Sequence, residues 1–420
     1  MKAPPLPGLR PIDVFCLGLN AIIGSGIFAF PGKMAQAAGP ASILAFLVCG
    51  LLLSAVALCY AELGGMFGGS GGSTLYAKEA FGKEAGFGVG ALAWVTAVLS
   101  GCAVASIAAA QFGYLHPSIS GPVAQNAAAA GLLLLFGAVN YRGVTPGARV
   151  VNLATAAKLV PLLVFTCAGL FFIKTENFHG PFPQGSRFGY AVFLALWPLQ
   201  GFEVAPVPAG ETRNPRGSVP WAVLGSLLCA ALLYALIQAV AVGTHPGLAS
   251  SGERPLAEAA ALFLGPRGGA FIALGAAVSM LGYLAGNALG APRYLSALGE
   301  DSFARLRLSE LHPAFGTPHR AIALTVLSSC VLCLLFDFSR LVDLSNLAVV
   351  SQYLSTCLAF CVLRWKRPEA PRSFRVPWAL LIGPGGFLIS LWLAMQVSGK
   401  EVLFAAAALA GAYALRSITK

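Results

Sequence analysis

Charge is what this chain has least of. Only 10% of its 420 residues are Asp, Glu, Lys or Arg, against about 25% in soluble proteins, which excludes an ordinary water-soluble domain. Histidine is scarce too: there are five, none of them central. A membrane-embedded enzyme would need His, Asp/Glu or Ser/His clusters within its apolar segments, and none is seen. Cys330/Cys333 and Cys357/Cys361 have helical spacing but no His or carboxylate cluster beside them, so they read as packed free thiols rather than a metal site or disulfides. No low-complexity tract, domain-length linker or soluble domain interrupts the chain. The first apolar segment is too long for a cleavable signal, and no small-residue cleavage site closes it.

Apolar residues fill the space that charge leaves. They make up 57% of the chain, with a mean hydropathy of +0.77. Windows of about 20 apolar residues give about twelve spans, so the expected fold is an all-α, multi-pass membrane protein. It forms a single domain, with spans one to five over 12–173, six to ten over 188–364, and two more over 378–416. A net charge of +11 invites a nucleic-acid reading, but topology accounts for it better. Most Lys and Arg fall on one side of the predicted spans, and Arg364, Lys366, Arg367, Arg372 and Arg375 crowd a single loop. The positive-inside bias then puts both termini in the cytoplasm of a cell-membrane protein, with anionic lipid rather than nucleic acid as the partner of its basic face.

Within that apolar background Lys158 stands out, in the stretch Val150–Ile173. An intramembrane cation is costly unless paired, hydrated or neutral, and it marks function by default. From Arg149, at the expected cytoplasmic end, the helix rises about 14 Å to Lys158, near the bilayer midplane. Burial depresses a lysine pKa, so this ammonium is a candidate to exchange a proton. Snorkelling is the alternative, but it requires a place near a helix end.

Two spans are broken in corresponding places. The first carries Gly24-Ser25-Gly26 inside Ala21–Phe28; the sixth carries Gly201, Pro206 and Pro208 inside Trp197–Glu211. Backbone groups freed in mid-span must line a cavity or a ligand. The breaks open two five-span runs, the second inverted because an odd number of spans separates their starts. Such paired breaks in an inverted repeat point to a secondary transporter's binding site. The amides of Ser25, Gly26 and Ile27 begin a half-helix and suit a carboxylate. The carbonyls of Ile22, Trp197 and Gln200 suit an ammonium. Donors on one side and acceptors on the other fit the head group of an α-amino acid. Pro206 and Pro208 are expected in the first turn of a second half-helix, where a missing N–H is tolerated.

With GSGIF at 24–28, GFEVAPVPAGETRNP at 201–215, RYLSALGEDSF at 293–303 and HPAFGTPHRAI at 312–322, the chain resembles the amino acid–polyamine–organocation superfamily. It is close to the cationic amino acid transporter branch and its bacterial proton-coupled relatives. The resemblance covers spans one to ten. It implies that Ser25 and Gly26 hold the substrate carboxylate, that Ile22, Trp197 and Gln200 accept from its amine, that Gly24, Ile27 and Gly201 complete the substrate site, and that Trp197 is an aromatic lid. Lys158 matches a lysine that replaces a sodium ion in proton-coupled members, with a carbonyl near Ile22/Ile23 and the Ser279 hydroxyl as contacts. Asn287 would border the side-chain pocket, with Ser100–Ala103 and Ser351–Ser355 as further walls. Glu203 is either a second proton carrier or pH sensor, or a partner for freed backbone. Glu211, Arg213 and Arg216 form a candidate ionic latch, with Glu62 either its partner or a solvated helix end.

These readings converge on a transporter, not an enzyme. It is expected to move neutral amino acids by proton-coupled symport and alternating access, with protons as coupling ion and no other cofactor. Exchange of amino acids on the same scaffold, and uptake of cationic amino acids or polyamines, stay open. A membrane sensor would not need two broken helices and a buried lysine. Ala21–Ile27 lacks the carboxylate a divalent-metal transporter would want there.

Overall fold

The computed structural model describes residues 9–67, 69, 71–115, 121–143, 148–180, 182–184, 186–252, 254–302 and 306–419. Those residues are almost entirely helical. The first span is α1 (Pro11–Ile22) and α2 (Gly26–Ala38), followed by α3 (Ser42–Met66), α4 (Ser73–Phe81), α5 (Lys83–Leu115), α6 (Pro122–Tyr141) and α7 (Ala148–Gly169). The sixth span holds α8 (Arg187–Leu194) and α9 (Leu196–Leu199). After it come α10 (Pro215–Thr244), α11 (Pro255–Ser302), α12 (His319–Leu335), α13 (Phe338–Lys366), α14 (Ala379–Ala394) and α15 (Gly399–Thr419). Apolar composition, with the backbone's need to pair internally in hydrocarbon, leaves helix as the form these segments take. The architecture agrees with the expected all-α fold of about twelve spans, and α14 and α15 meet at a bend of 111°.

Two elements differ from the sequence reading. α4 lies between the second and third spans; it is too short to cross a membrane, so windows of spanning length pass over it. The polar, Gly/Pro-rich stretch His245–Pro266, where a loop is expected, contains helix from Pro255 onward, and α11 is two helices joined at Gly265, whose φ of 74° favours glycine.

Around the breaks the core is dense. α3 packs along α10, and α5 along α11 and α13. Tyr60, Tyr76, Tyr234, Tyr353, Phe202 and Lys158 are among the largest side chains that are fully buried. α11 approaches α7 closely because Gly275 and Gly282 present no side chain: a methyl at Gly275 would meet the Pro161 ring at 2.5 Å, and one at Gly282 would meet Lys158 Cε at 3.2 Å.

Candidate substrate and coupling site

α1 stops at Ile22 and α2 restarts at Gly26, as the Gly-Ser-Gly run predicts. Ser25 stands at the N-cap of α2, buried, and its hydroxyl has no hydrogen-bond partner among the described residues. The backbone amides of Phe28 and Ala29 donate to the Ser25 carbonyl. The helix start thus presents Ser25, Gly26 and Ile27 with the positive end of the α2 dipole behind them.

The sixth span breaks at Gln200–Gly201, where Gly201 has φ of 126°. A methyl there would lie 2.7 Å from the Ala21 carbonyl carbon and the Ile22 nitrogen, so the two breaks touch backbone to backbone. A methyl on Gly26 would meet the Pro198 Cα at 2.6 Å. Gly26 therefore serves the contact between the two broken spans, and a bulky residue there would disturb that packing as well as any ligand. The expected α half-helix after the second break does not form. Phe202–Val204 and Ala209–Glu211 are 3-10 turns, and Pro206 and Pro208 lie in turns between them. The Pro208 ring disfavours the α conformation at Val207, the residue before it, and the amides of Val207 and Ala209 reach back only three residues, to the Val204 and Pro206 carbonyls.

On the acceptor side the Ile22 carbonyl is engaged, with the Gly24 amide at 2.9 Å and the Tyr234 hydroxyl at 3.2 Å. It is therefore not free to receive an ammonium in this conformation. Tyr234, on α10, was not singled out in the sequence because nothing local marks its 212-residue reach to Ile22. Trp197 is buried in α9, and the Gln200 side-chain oxygen is buried without a partner among the described residues. Tyr283 of α11 stands over Gly24, 3.6 Å from where a methyl would sit. Asn287, one turn on, donates to the Ala97 carbonyl of α5 at 3.0 Å. It lines a crevice between α6, α11 and α12, with Thr325 and Ser329, instead of the contact between the breaks. Of the other proposed walls, Ser100 bonds Ser345 of α13 at 2.7 Å, while the Ser351 hydroxyl donates to its own helix at the Leu347 carbonyl.

Lys158 sits in mid-α7, 1% exposed. Its ammonium donates to the carbonyls of Ile23 at 3.1 Å and Asn20 at 3.2 Å, both freed by the end of α1. The Ser279 hydroxyl lies 3.5 Å from the Ile23 and Gly24 carbonyls, so lysine and serine converge on one break from two helices. Among the described residues no carboxylate pairs with this ammonium.

Glu203 accepts from the Gly201 amide at 2.9 Å and from the Tyr353 hydroxyl of α13 at 2.9 Å. Its carboxylate thus braces the second break. Beside it Tyr60, Phe202 and Tyr353 stack and cross, with ring centroids 5.4 to 6.1 Å apart. This aromatic plug comes from three distant parts of the chain.

Glu62 is neither a solvated helix end nor a partner of Arg213 or Arg216. It is 1% exposed. Arg364 clamps it with both ends of its guanidinium, Arg372 pairs with it at 3.0 Å, and the Val376 amide donates at 2.7 Å. Ser373 in the same loop donates to the carbonyls of Gly65 and Arg216. Loop cations read from the sequence as topology markers are here structural. The side chains of Glu211 and Arg149, and Phe303 of the quoted motif, lie outside the described residues.

Comparison with known proteins places residues 9–408 in the family described as amino acid permease. The branched-chain amino acid permease BcaP of Bacillus subtilis is 28% identical over 416 residues, covering 93% of this chain and 88% of the relative. A methylthioribose transporter of the same organism is 26% identical over 411 residues, covering 93% and 88%. Its serine/threonine exchanger SteT is 28% identical over 372 residues, covering 86% and 84%.

Proposed function

The chain belongs to the amino acid permease family, within the amino acid–polyamine–organocation superfamily, and from that premise we propose that it is a proton-coupled symporter of neutral amino acids. It is a multi-pass membrane transporter, not an enzyme. The observation that carries the coupling is Lys158: a midspan ammonium on two carbonyls of the first break, with no described carboxylate to neutralise it. When charged, it ties α7 to the end of α1. The low-dielectric surroundings disfavour the charged form; when the ammonium gives its proton to water entering from one side, those bonds weaken and α1 is released, which links protonation to access.

Substrate binds where the two breaks meet. Ser25 with the amides of Gly26 and Ile27 receives the carboxylate. The carbonyls of Trp197 and Gln200 take the amine, Ile22 joining them once Tyr234 withdraws, and Trp197 closes over the ligand. The engagement of Glu203 by Gly201 and Tyr353 supports neutral over cationic substrates, since among the described residues no free carboxylate faces the break. Spans one to five and six to ten act as inverted repeats, with both termini in the cytoplasm.

Purified protein in proteoliposomes given a labelled amino acid panel tests this reading. Neutral amino acids accumulate when the outside is made acidic and only equilibrate without the gradient. Uptake that requires internal amino acid and ignores the gradient would replace symport by exchange, the activity named for SteT.

A further inference from the structure

The contact between α1 and α7 extends below Lys158 as a polar seam. On α7, Asn152, Thr155 and Lys158 recur every three residues and share a face. On α1 and the residue that caps it their partners are Asp13, Cys16, Asn20 and Ile23, the three-four-three spacing of one helical stripe. The Asn152 amide donates to Asp13 at 2.8 Å, the Thr155 hydroxyl to the Cys16 carbonyl at 3.3 Å, and Lys158 to Asn20 and Ile23. Beyond Lys158 the seam turns apolar, with Leu162 and Phe165 fully buried.

At its foot Asp13 is 7% exposed and saturated. Arg10 donates its amide at 2.9 Å, its Nε at 3.1 Å and its Nη2 at 3.0 Å, and Asn152 completes the set. Immediately before, Leu9 pairs with Thr212 in an isolated parallel bridge, and the Arg213 amide donates to the Leu9 carbonyl at 3.0 Å. The start of α1 is therefore tied to α7 on one flank and to the end of the sixth span on the other.

We propose that Asp13 and Asn152 are the foot of a latch that holds the first half of α1 closed against α7, and that they are positioning residues for opening that end of the transporter. α1 is the short half of a broken span, cut from α2 by Gly24-Ser25-Gly26, so it swings as a unit once its side bonds part. The upper rung can be released by the state of Lys158; the foot rung, a neutral amide on a carboxylate, sets a constant bias towards closure. The latch goes beyond the coupling reading and does not require Lys158 to carry the proton.

Hydrogen exchange of the purified protein in lipid nanodiscs tests it, read as the α1 amides against those of α5 and α11. In Asn152→Leu, α1 should exchange about tenfold faster, the effect of one hydrogen bond to a charged group, with α5 and α11 unchanged. Asn152→Asp, which sets two carboxylates together, should open α1 further. Asp13→Asn in that background rebuilds an amide–carboxylate pair and should restore slow exchange. Unchanged α1 exchange in Asn152→Leu, failure of the double variant to restore it, or a rise spread over all helices would overturn the latch. Should Asn152→Leu fail to fold, the comparison of Asn152→Asp with the double variant decides.

Discussion

Gly201 carries a larger share of this site than its size suggests. Its φ of 126° suits glycine, and the space over its Cα is filled by the backbone at Ala21 and Ile22. Gly201→Ala therefore meets strain and collision together, of order 1–3 kcal/mol from the backbone conformation alone. It should lower the thermal midpoint and abolish substrate binding. Gly24→Ala, where a methyl makes ordinary contact with Tyr283 at 3.6 Å, should fold as wild type and only weaken binding. Thermal melts paired with ligand-induced stabilisation check both, and equal behaviour of the two variants would contradict the backbone contact between the breaks. Glycine in mid-span was legible in the sequence; what each glycine touches was not. The missing side chain of Gly26 makes room for Pro198. Glu203 has two readings in sequence, and nothing local in it marks the bonds that its carboxylate accepts from Gly201 and Tyr353.

At the scale of elements, loops do more than connect. Glu62, Arg364 and Arg372 fasten the end of α3 to the end of α13 and to the chain leading into α14, while Ser373 reaches Arg216 at the start of α10. Removing one member of a buried ion pair strands the rest, at a cost of about 3–5 kcal/mol. Glu62→Ala should lower the thermal midpoint clearly, and Glu62→Leu combined with Arg364→Met and Arg372→Met should recover much of the loss. A silent Glu62→Ala would show that the clamp is dispensable. Composition and charge pattern placed the spans and the Arg-rich loop, because hydropathy and charge bias are local sums. They could not pair Glu62 with Arg364, 302 residues away, or bring Tyr60, Phe202 and Tyr353 into one plug. Pro206 and Pro208 show a local rule applied too simply. One proline suits a first helical turn; a second, two residues on, disfavours the α conformation in the residue between them, and here only 3-10 turns form.

For the whole molecule, two broken spans cross with their backbones in contact, and a third, α7, presents its one lysine to the first break. The α1–α7 seam proposed as the closing latch, the aromatic cluster beside Glu203 and the Glu62 clamp are each built from elements far apart in sequence. The central claim is that Lys158 couples proton movement to that closure. The most direct measurement compares wild type and Lys158→Ala in proteoliposomes, following accumulation of a neutral amino acid under an inward proton gradient beside counterflow without one. The account predicts that Lys158→Ala loses gradient-driven accumulation and keeps some counterflow, because the breaks that bind substrate remain. Accumulation by Lys158→Ala at the wild-type level in response to the gradient would contradict it.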